Sequence, residues 1–472
     1  MNMGGHALLI PLPFQGHINP LMQLAWKLVS HGFLVTFLNT DFNHNRIMQA
    51  NTRNPIHNNW DGIRMVSIPD GLPPDDKRTN IPNLLQALDN SMAPSVIKSL
   101  IEEINEREEE NKITGIIVDA MTCFGLKAVA DFYQIPLFAF HASLVANCTI
   151  RYFIPRLVSI GTLAQDGAPK EEKKVRYIPS MPPLRSGDLP WLFGGEKMFK
   201  RCIQMGESIK QIKRVLTNSF YELEGPVVEE LSREVEVYPI GPLIPGEFLE
   251  GVKRSPSKAL PSFWADDVEC LEWLDKQSTQ SVIYVSFGSL AVWSQIQVEE
   301  FAAGLEAALR PFLWVVRSGL MEGGKPTIPP GFLEHVRERI CIVSWAPQLQ
   351  VLSHPCIACF VTHCGWNSVQ ESITMGVPML CSPHFIDQFL NRTYIVDVWK
   401  IGLPLESNKD GIIEKGEIAR AVDRLLVGED GAEIRKHVTK LMRSSRDVVK
   451  EGGSSFNSYS KFLHQMKKQL LD

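Results

Sequence analysis

The chain has 472 residues, 44% of them hydrophobic and 21% charged, with 48 Lys and Arg against 53 Asp and Glu for a formal net charge of −5. This is the make-up of an ordinary globular protein, and at roughly 100–200 residues per domain it predicts two domains or more. A mildly acidic balance without a Lys/Arg cluster excludes the electrostatic footprint of a nucleic-acid binder or of docking on an anionic membrane. The first apolar stretch, Ala7 to Phe14, is broken by Pro11 and Pro13 and lacks both a basic leader and a small-residue cleavage site. It is therefore expected to be neither a signal peptide nor an integral membrane segment, and a cytoplasmic protein is expected. Ala7–Leu12 reads as a first strand, and Gly16 in Pro13-Phe-Gln-Gly-His17-Ile-Asn-Pro20 frees the turn after it. Asn19 and Pro20 read as the cap and first residue of a helix whose apolar face is Leu21, Leu24, Ala25 and Leu28. His17 then falls at the carboxyl end of a strand beside a helix start, where open α/β sheets bind ligands, although a structural histidine there is equally open.

Leu34–Leu38 is the next strand expected, and the charge run Glu102 to Lys112 reads as a solvated helix end and turn. Ile116–Val118 is a strand that delivers Asp119 to the same sheet edge as His17. There the carboxylate is either a helix N-cap or the partner that holds an imidazole in one tautomer. Leu137–Phe140 is followed by His141 at that edge. Tyr238 to Pro261 holds five prolines and three glycines and reads as an interdomain linker. A second set of short β-branched runs follows at Val282–Ser286, Phe312–Val316, Ile340–Val343, Ala358–Thr362 and Pro378–Cys381, alternating with helix-period segments as parallel α/β layers do. From Ser455, apolar residues at Phe456, Tyr459, Phe462, Leu463, Met466 and Leu470 predict a closing amphipathic helix. No 20–50-residue repeat recurs. Nine cysteines, an odd number, fit free thiols, with Cys356-Ile-Ala-Cys359 read as buried packing. The sequons Asn147-Cys-Thr149 and Asn391-Arg-Thr393 are expected to be unused in a reducing compartment.

Polar and aromatic residues concentrate from Trp345 to Gln388 far beyond what packing requires. The run His363-Cys-Gly-Trp-Asn-Ser368 follows a strand and opens a helix, so its backbone N–H groups favour phosphate. Trp345 offers a face for a base, and Glu371 could accept from vicinal ribose hydroxyls. Together they describe a nucleotide-diphosphate site without a GxGxxG turn. Gly319-Leu-Met-Glu-Gly-Gly324-Lys325 imitates a P-loop, but Pro326 replaces the hydroxyl that would ligand Mg²⁺, so it reads as a surface loop.

These residues closely resemble the plant-type family 1 UDP-dependent glycosyltransferases, whose 44-residue signature is matched from Trp345 to Gln388. Pro11-Leu-Pro-Phe-Gln-Gly-His17 is similar to that family's N-terminal catalytic motif and Val285-Ser-Phe-Gly-Ser289 to its phosphate loop. The resemblance implies an α/β GT-B fold, two facing Rossmann-like domains with parallel sheets and a cleft between them. It places an acceptor-binding domain at 1–240, a linker at 241–261 and a UDP-sugar-binding domain at 262–454, with a helix at 455–472 packing back on the first. It also implies that Trp345 stacks on uracil, Ala346 pairs with it through backbone, and Gln348 and Glu371 hold the ribose. Ser289, His363, Asn367 and Ser368 would hold the diphosphate, and Trp366, Asp387 and Gln388 the sugar. His17 resembles the family's general base and Asp119 its orienting partner.

Two positions depart from the pattern: His141 stands where many relatives have Thr, and Ser382 where many have Trp. His141 is expected to reach a sugar hydroxyl. The activity implied is inverting transfer of glucose from UDP-glucose, a co-substrate, to a small apolar acceptor, phenolic or flavonoid first and terpenoid second, giving a β-O-glucoside. No metal, no cofactor and no nucleic acid are expected, and the chain is expected to be a monomer. The competing reading is a non-catalytic UDP-sugar or small-molecule binding protein of the same fold.

Overall fold

The computed structural model describes residues 4–52, 62–78, 80–171, 173–250, 267–289, 291–317, 328–329 and 331–467. The chain forms two compact units, the first holding the chain up to Pro245 and again from Asp447, the second holding Ala265–Arg446 and the short helix Gly246–Leu249.

The first unit is built on a seven-stranded sheet: β1 His6–Ile10, β2 Leu34–Thr40, β3 Ile63–Ile68, β4 Gly115–Asp119, β5 Leu137–His141, β6 Arg214–Thr217 and β7 Glu236–Pro239. Every pairing is parallel, in the order β3-β2-β1-β4-β5-β6-β7. All five residues of β1 and all five of β4 are buried, as expected of short apolar runs covered on both faces. Strands β3, β6 and β7 escape a sequence reading because Arg64 interrupts the apolar pattern of the first, and Arg214, Glu236 and Pro239 at their ends leave the other two with only two or three residues of pattern.

The first helix begins at Gln15, a turn before Asn19 and Pro20, and Pro20 lies inside it. The extended Phe14 opens the helix, its carbonyl accepting from the N–H groups of His17 and Ile18, both at 2.9 Å. His17 therefore stands in the first helical turn. The buried face of that helix, Ile18, Leu21, Leu24, Ala25 and Leu28, keeps the expected spacing. The closing helix Ser454–Lys467 places Tyr459, Phe462 and Met466 in the same core, and the rings of Phe462 and Phe138 meet edge-on at 4.9 Å. Burying such a side chain stabilises by about 1.5–3 kcal/mol, which is what ties this segment to the first unit.

Residues 241–245, which the sequence reading puts in the linker, are held by the first unit. Gly241 N–H donates to the Ser219 carbonyl at 2.8 Å, Leu243 N–H donates to Asn218 Oδ1 at 2.9 Å, and the Gly241 carbonyl accepts from Ser455 Oγ. The remainder of that linker from 251, and the Gly319–Lys325 loop, lie outside the described residues.

The second unit carries a six-stranded parallel sheet: β8 Val282–Ser286, β9 Phe312–Val315, β10 Ile340–Val343, β11 Ile357–Thr362, β12 Met379–Cys381 and β13 Gly402–Pro404, in the order β10-β9-β8-β11-β12-β13. The edge strand β13, three residues containing Gly402 and Pro404, is too short to be read from sequence. Cys356 and Cys359 are buried at and within β11, and all nine thiols are free. Among the described residues no helix is long and apolar enough to cross a membrane.

In both sheets the winding reverses between two adjacent strands, β1 and β4 in the first, β8 and β11 in the second. Open α/β sheets bind ligands outside the carboxyl ends of such a pair. His17 follows β1 and Asp119 ends β4, while Gly288 follows β8 and His363 follows β11.

Candidate active site

At the switch point of the first unit, His17 Nδ1 lies 2.6 Å from Asp119 Oδ2. The imidazole is 28% exposed and the carboxylate 2%, so the pair has a buried anchor and an accessible head. Asp119 Oδ1 accepts the Met121 N–H at 2.9 Å, which engages the second oxygen. No helix starts there, since the next begins at Leu126, and the N-cap reading of Asp119 falls away. A carboxylate on Nδ1 keeps the proton on that nitrogen and makes Nε2 the basic one. His141 ends the neighbouring strand β5 and is 4% exposed, with its Nε2 sealed from solvent and without a hydrogen-bond partner. Burial, then the positive charge of Arg151, push its pKa down to about 3. His141 is thus a neutral imidazole beside the dyad and cannot serve as a second base near neutral pH.

The second unit brings together the two residues expected to hold the ribose, Gln348 and Glu371, with Ser368, expected at the diphosphate. Gln348 Nε2 donates to Glu371 Oε2 at 2.6 Å and to Ser368 Oγ at 2.8 Å, while Gln348 Oε1 accepts from the Tyr284 hydroxyl at 3.2 Å. Burial pushes Glu371 up to about 7, opposed by the Gln348 hydrogen bond. Trp345 is half-buried, its carbonyl accepting the Asp267 N–H at 3.0 Å, and Ala346 is buried beside it.

The phosphate-type elements converge on His363. Gly288 adopts the left-handed φ of 69°, and a Cβ there would lie 2.5 Å from His363 Nε2, so the loop after β8 can approach the imidazole only as glycine. Burial, and then the charge of His384, push His363 down to about 3, which keeps it neutral. The helix Trp366–Met375 starts after Gly365, whose lack of a side chain leaves its first turn without a side-chain cap. That helix start carries Asn367 and Ser368 and presents the positive end of its dipole. Ser289 lies in the turn after Gly288.

The groups expected at the sugar are arranged less directly. Gln388 Oε1 accepts the N–H groups of His384 and Phe385 at 2.8 and 3.2 Å, and Asp387 Oδ2 accepts from Asn391 Nδ2 at 3.1 Å. Trp366 is 4% exposed, its ring 6.3 Å from that of Trp399.

Sequence reasoning missed Arg317. It is 8% exposed, and its guanidinium donates to the Gly288 carbonyl at 3.1 Å and to the Ala291 carbonyl, clamping the loop after β8. A charged residue just past an apolar strand is the signal that singled out Asp119, and it applies equally to Arg317 after Phe312–Val316. His384, which accepts from Trp293 Nε1 at 3.1 Å, carried no comparable signal.

Residues 6–172 match the family described as glycosyltransferase, N-terminal domain, and residues 232–429 that described as UDP-glucoronosyl and UDP-glucosyl transferase. The chain is 35% identical to a 7-deoxyloganetin glucosyltransferase of Gardenia jasminoides over 97% of its length and 96% of that protein's. It is also 35% identical to an (R)-mandelonitrile beta-glucosyltransferase of Prunus dulcis, covering 96% and 95% of the two chains. Among solved structures, a Polygonum tinctorium UDP-glucosyltransferase capable of glucosylating indoxyl superimposes with a TM-score of 0.82 at 28% identity, covering 98% and 99%. A protein from O. sativa in complex with UDP gives 0.81 at 25% identity, covering 98% and 100%. The fold is GT-B. Similarity of this depth along nearly the whole length, on a chain whose second unit carries the residues of the signature, makes it a member of the plant family 1 UDP-glycosyltransferases and an enzyme of that class.

Proposed function

We propose that the enzyme transfers glucose from UDP-glucose to a hydroxyl of a small, largely apolar acceptor with inversion at the anomeric carbon, giving a β-O-glucoside. The observation that carries this reading is the His17–Asp119 pair at 2.6 Å, a base with an orienting carboxylate, which a protein that only bound UDP-sugar would not need. In this mechanism His17 Nε2 takes the hydroxyl proton as the acceptor oxygen bonds to C1. The bond from C1 to the phosphate oxygen breaks on the opposite face, and UDP leaves with the electron pair. Asp119 stabilises the imidazolium that forms, and the start of the helix Trp366–Met375 stabilises the charge on the leaving diphosphate without a metal. Phenolic acceptors come first and terpenoid ones second, and relatives named for 7-deoxyloganetin and mandelonitrile support a small hydroxylated acceptor. The test is a screen of such acceptors with UDP-glucose, read as a hexose adduct by mass and as released UDP. Absence of both from every acceptor overturns the reading, and a donor competition that ranks UDP-galactose ahead overturns glucose as the sugar.

On this reading Trp345→Ala is expected to weaken UDP by about 1–3 kcal/mol, the loss of one base–aromatic stack, measured by calorimetry. Glu371 should also make UDP binding pH-dependent. Ribose hydroxyls donate to the ionised carboxylate, and the buried group ionises at about 7, so its contribution is lost as pH falls through that value. Between pH 6 and 8 the wild-type affinity is expected to rise by up to about tenfold more than that of Glu371→Gln. Equal slopes would remove Glu371 from the ribose. His141 is assigned to a sugar hydroxyl, so His141→Ala should raise the donor KM and spare kcat, and an unchanged KM would remove it from the sugar.

A further inference from the structure

The first unit buries two neighbouring arginines and provides for them very differently. Arg201, 6% exposed, has Nη1 on the Asp89 carboxylate at 2.9 and 3.0 Å and Nη2 on the Met121 carbonyl at 2.8 Å. Arg151, 3% exposed, meets no carboxylate among the described residues. Its Nη1 contacts only sulfur, Met121 Sδ at 3.2 Å and Met205 Sδ at 3.8 Å, and its Nε is sealed from solvent without a partner. Thioethers are weak acceptors, and a buried guanidinium is retained where something anionic pairs with it.

Among the described residues nothing beside Arg151 supplies that charge. Burial pushes the thiol of Cys148 up to about 12 and raises that of Cys202, so both stay neutral. Glu224 is bound at the opposite end of the same helix, Val145–Tyr152, accepting the N–H groups of Val145 and Ala146 at 2.9 Å each. Asp119 has both oxygens engaged, by His17 and by the Met121 N–H. One helical turn before Arg151, Asn147 is 2% exposed and leaves Oδ1 without a partner while Nδ2 donates to Ser143 Oγ at 3.2 Å. Positions i and i+4 share a helix face, so two unsatisfied polar groups lie on one stripe.

That stripe adjoins the candidate catalytic pair. Met121, on whose sulfur the Arg151 guanidinium rests, is the residue whose N–H holds Asp119 Oδ1. We propose that Arg151 receives a carboxylate carried by the acceptor, with Asn147 Oδ1 accepting from a hydroxyl of the same molecule, so that the acceptor class is hydroxylated acids with an apolar body. The inference rests on the reading of the chain as a glucosyltransferase to hydroxyl groups and narrows its substrate. The planar guanidinium suits a carboxylate, which it can hold through two parallel N–H donors.

The experiment pairs free acids with their methyl esters, 4-hydroxycinnamate and 4-hydroxybenzoate among phenols and a hydroxylated terpenoid acid, as acceptors with UDP-glucose. The wild type is expected to favour an acid over its ester by about tenfold or more in kcat/KM, the scale of one charge-assisted hydrogen bond. Arg151→Met, which keeps a long side chain suited to the sulfur-lined site, should bring that ratio near one through the acid's KM, and Arg151→Lys should keep part of it. A role in folding alone would weaken acid and ester alike. Esters that match their acids, or an acid preference that survives Arg151→Met, overturn the proposal. Absence of transfer to acids and esters alike overturns the glucosyl-transfer reading instead. The anion site is then decided by melting temperature: the acids are expected to raise that of the wild type and not that of Arg151→Met, and no difference between the two overturns it.

Discussion

His17→Ala is expected to abolish glucosyl transfer, by at least the about 10²–10⁴-fold that a positioned general base contributes, while UDP binding stays near the wild-type value. The two effects separate because the imidazole belongs to the first unit, and the groups assigned to uracil, ribose and diphosphate all belong to the second. The fold should tolerate the change, since His17 is 28% exposed and sits on a helix whose buried face starts at Ile18. UDP release under saturating acceptor, with calorimetry of UDP on the same protein, checks both halves. Retention of most turnover would sink the mechanism, and loss of UDP binding would show that His17 supports the donor.

Asp119 offers a sharper test, because two substitutions at it should differ in a direction that simple loss of packing does not produce. In Asp119→Ala the imidazole loses its anchor but can still take up the productive tautomer, so kcat should fall strongly yet less completely than in His17→Ala. In Asp119→Asn the side-chain oxygen can still accept the Met121 N–H, which preserves the turn after β4. Its amide then faces His17 Nδ1 as a donor, which draws the proton to Nε2 and occupies the nitrogen that must act as base. The conservative variant is therefore expected to be the slower of the two, with donor KM unchanged in both. If asparagine were the milder change, Asp119 would be holding structure and not a tautomer.

How far these residues were legible in the sequence follows from how each signal is written. Short runs such as Ala7–Ile10 and Val282–Val285 are apolar because both faces of a parallel strand are covered, so the α/β class and the central strands are written locally. A polar residue ending or directly following such a run must emerge at the sheet edge, which is why Asp119, His141 and His363 could be named as edge residues from composition and order alone, and His17 could be named from the glycine turn that follows β1. The signature from Trp345 to Gln388 is contiguous and equally open to reading.

What lay beyond reach depends on partners distant in the chain. The edge strands β3, β7 and β13 and the short β6 exist because neighbouring strands offer them a ladder, which no local pattern of so few residues declares. The helix start at Gln15 was decided by the Phe14 carbonyl and not by the Asn-Pro pair that local capping rules favoured. Arg317 reads in sequence as one more charge after a strand, and only the fold puts its guanidinium on the carbonyls of Gly288 and Ala291. Arg151 and Arg201 look alike in the sequence. Tertiary structure alone gives one of them Asp89, 112 positions earlier, and surrounds the other with methionine sulfur, because whether a buried charge is paired is settled by which chains of atoms packing brings within about 3 Å.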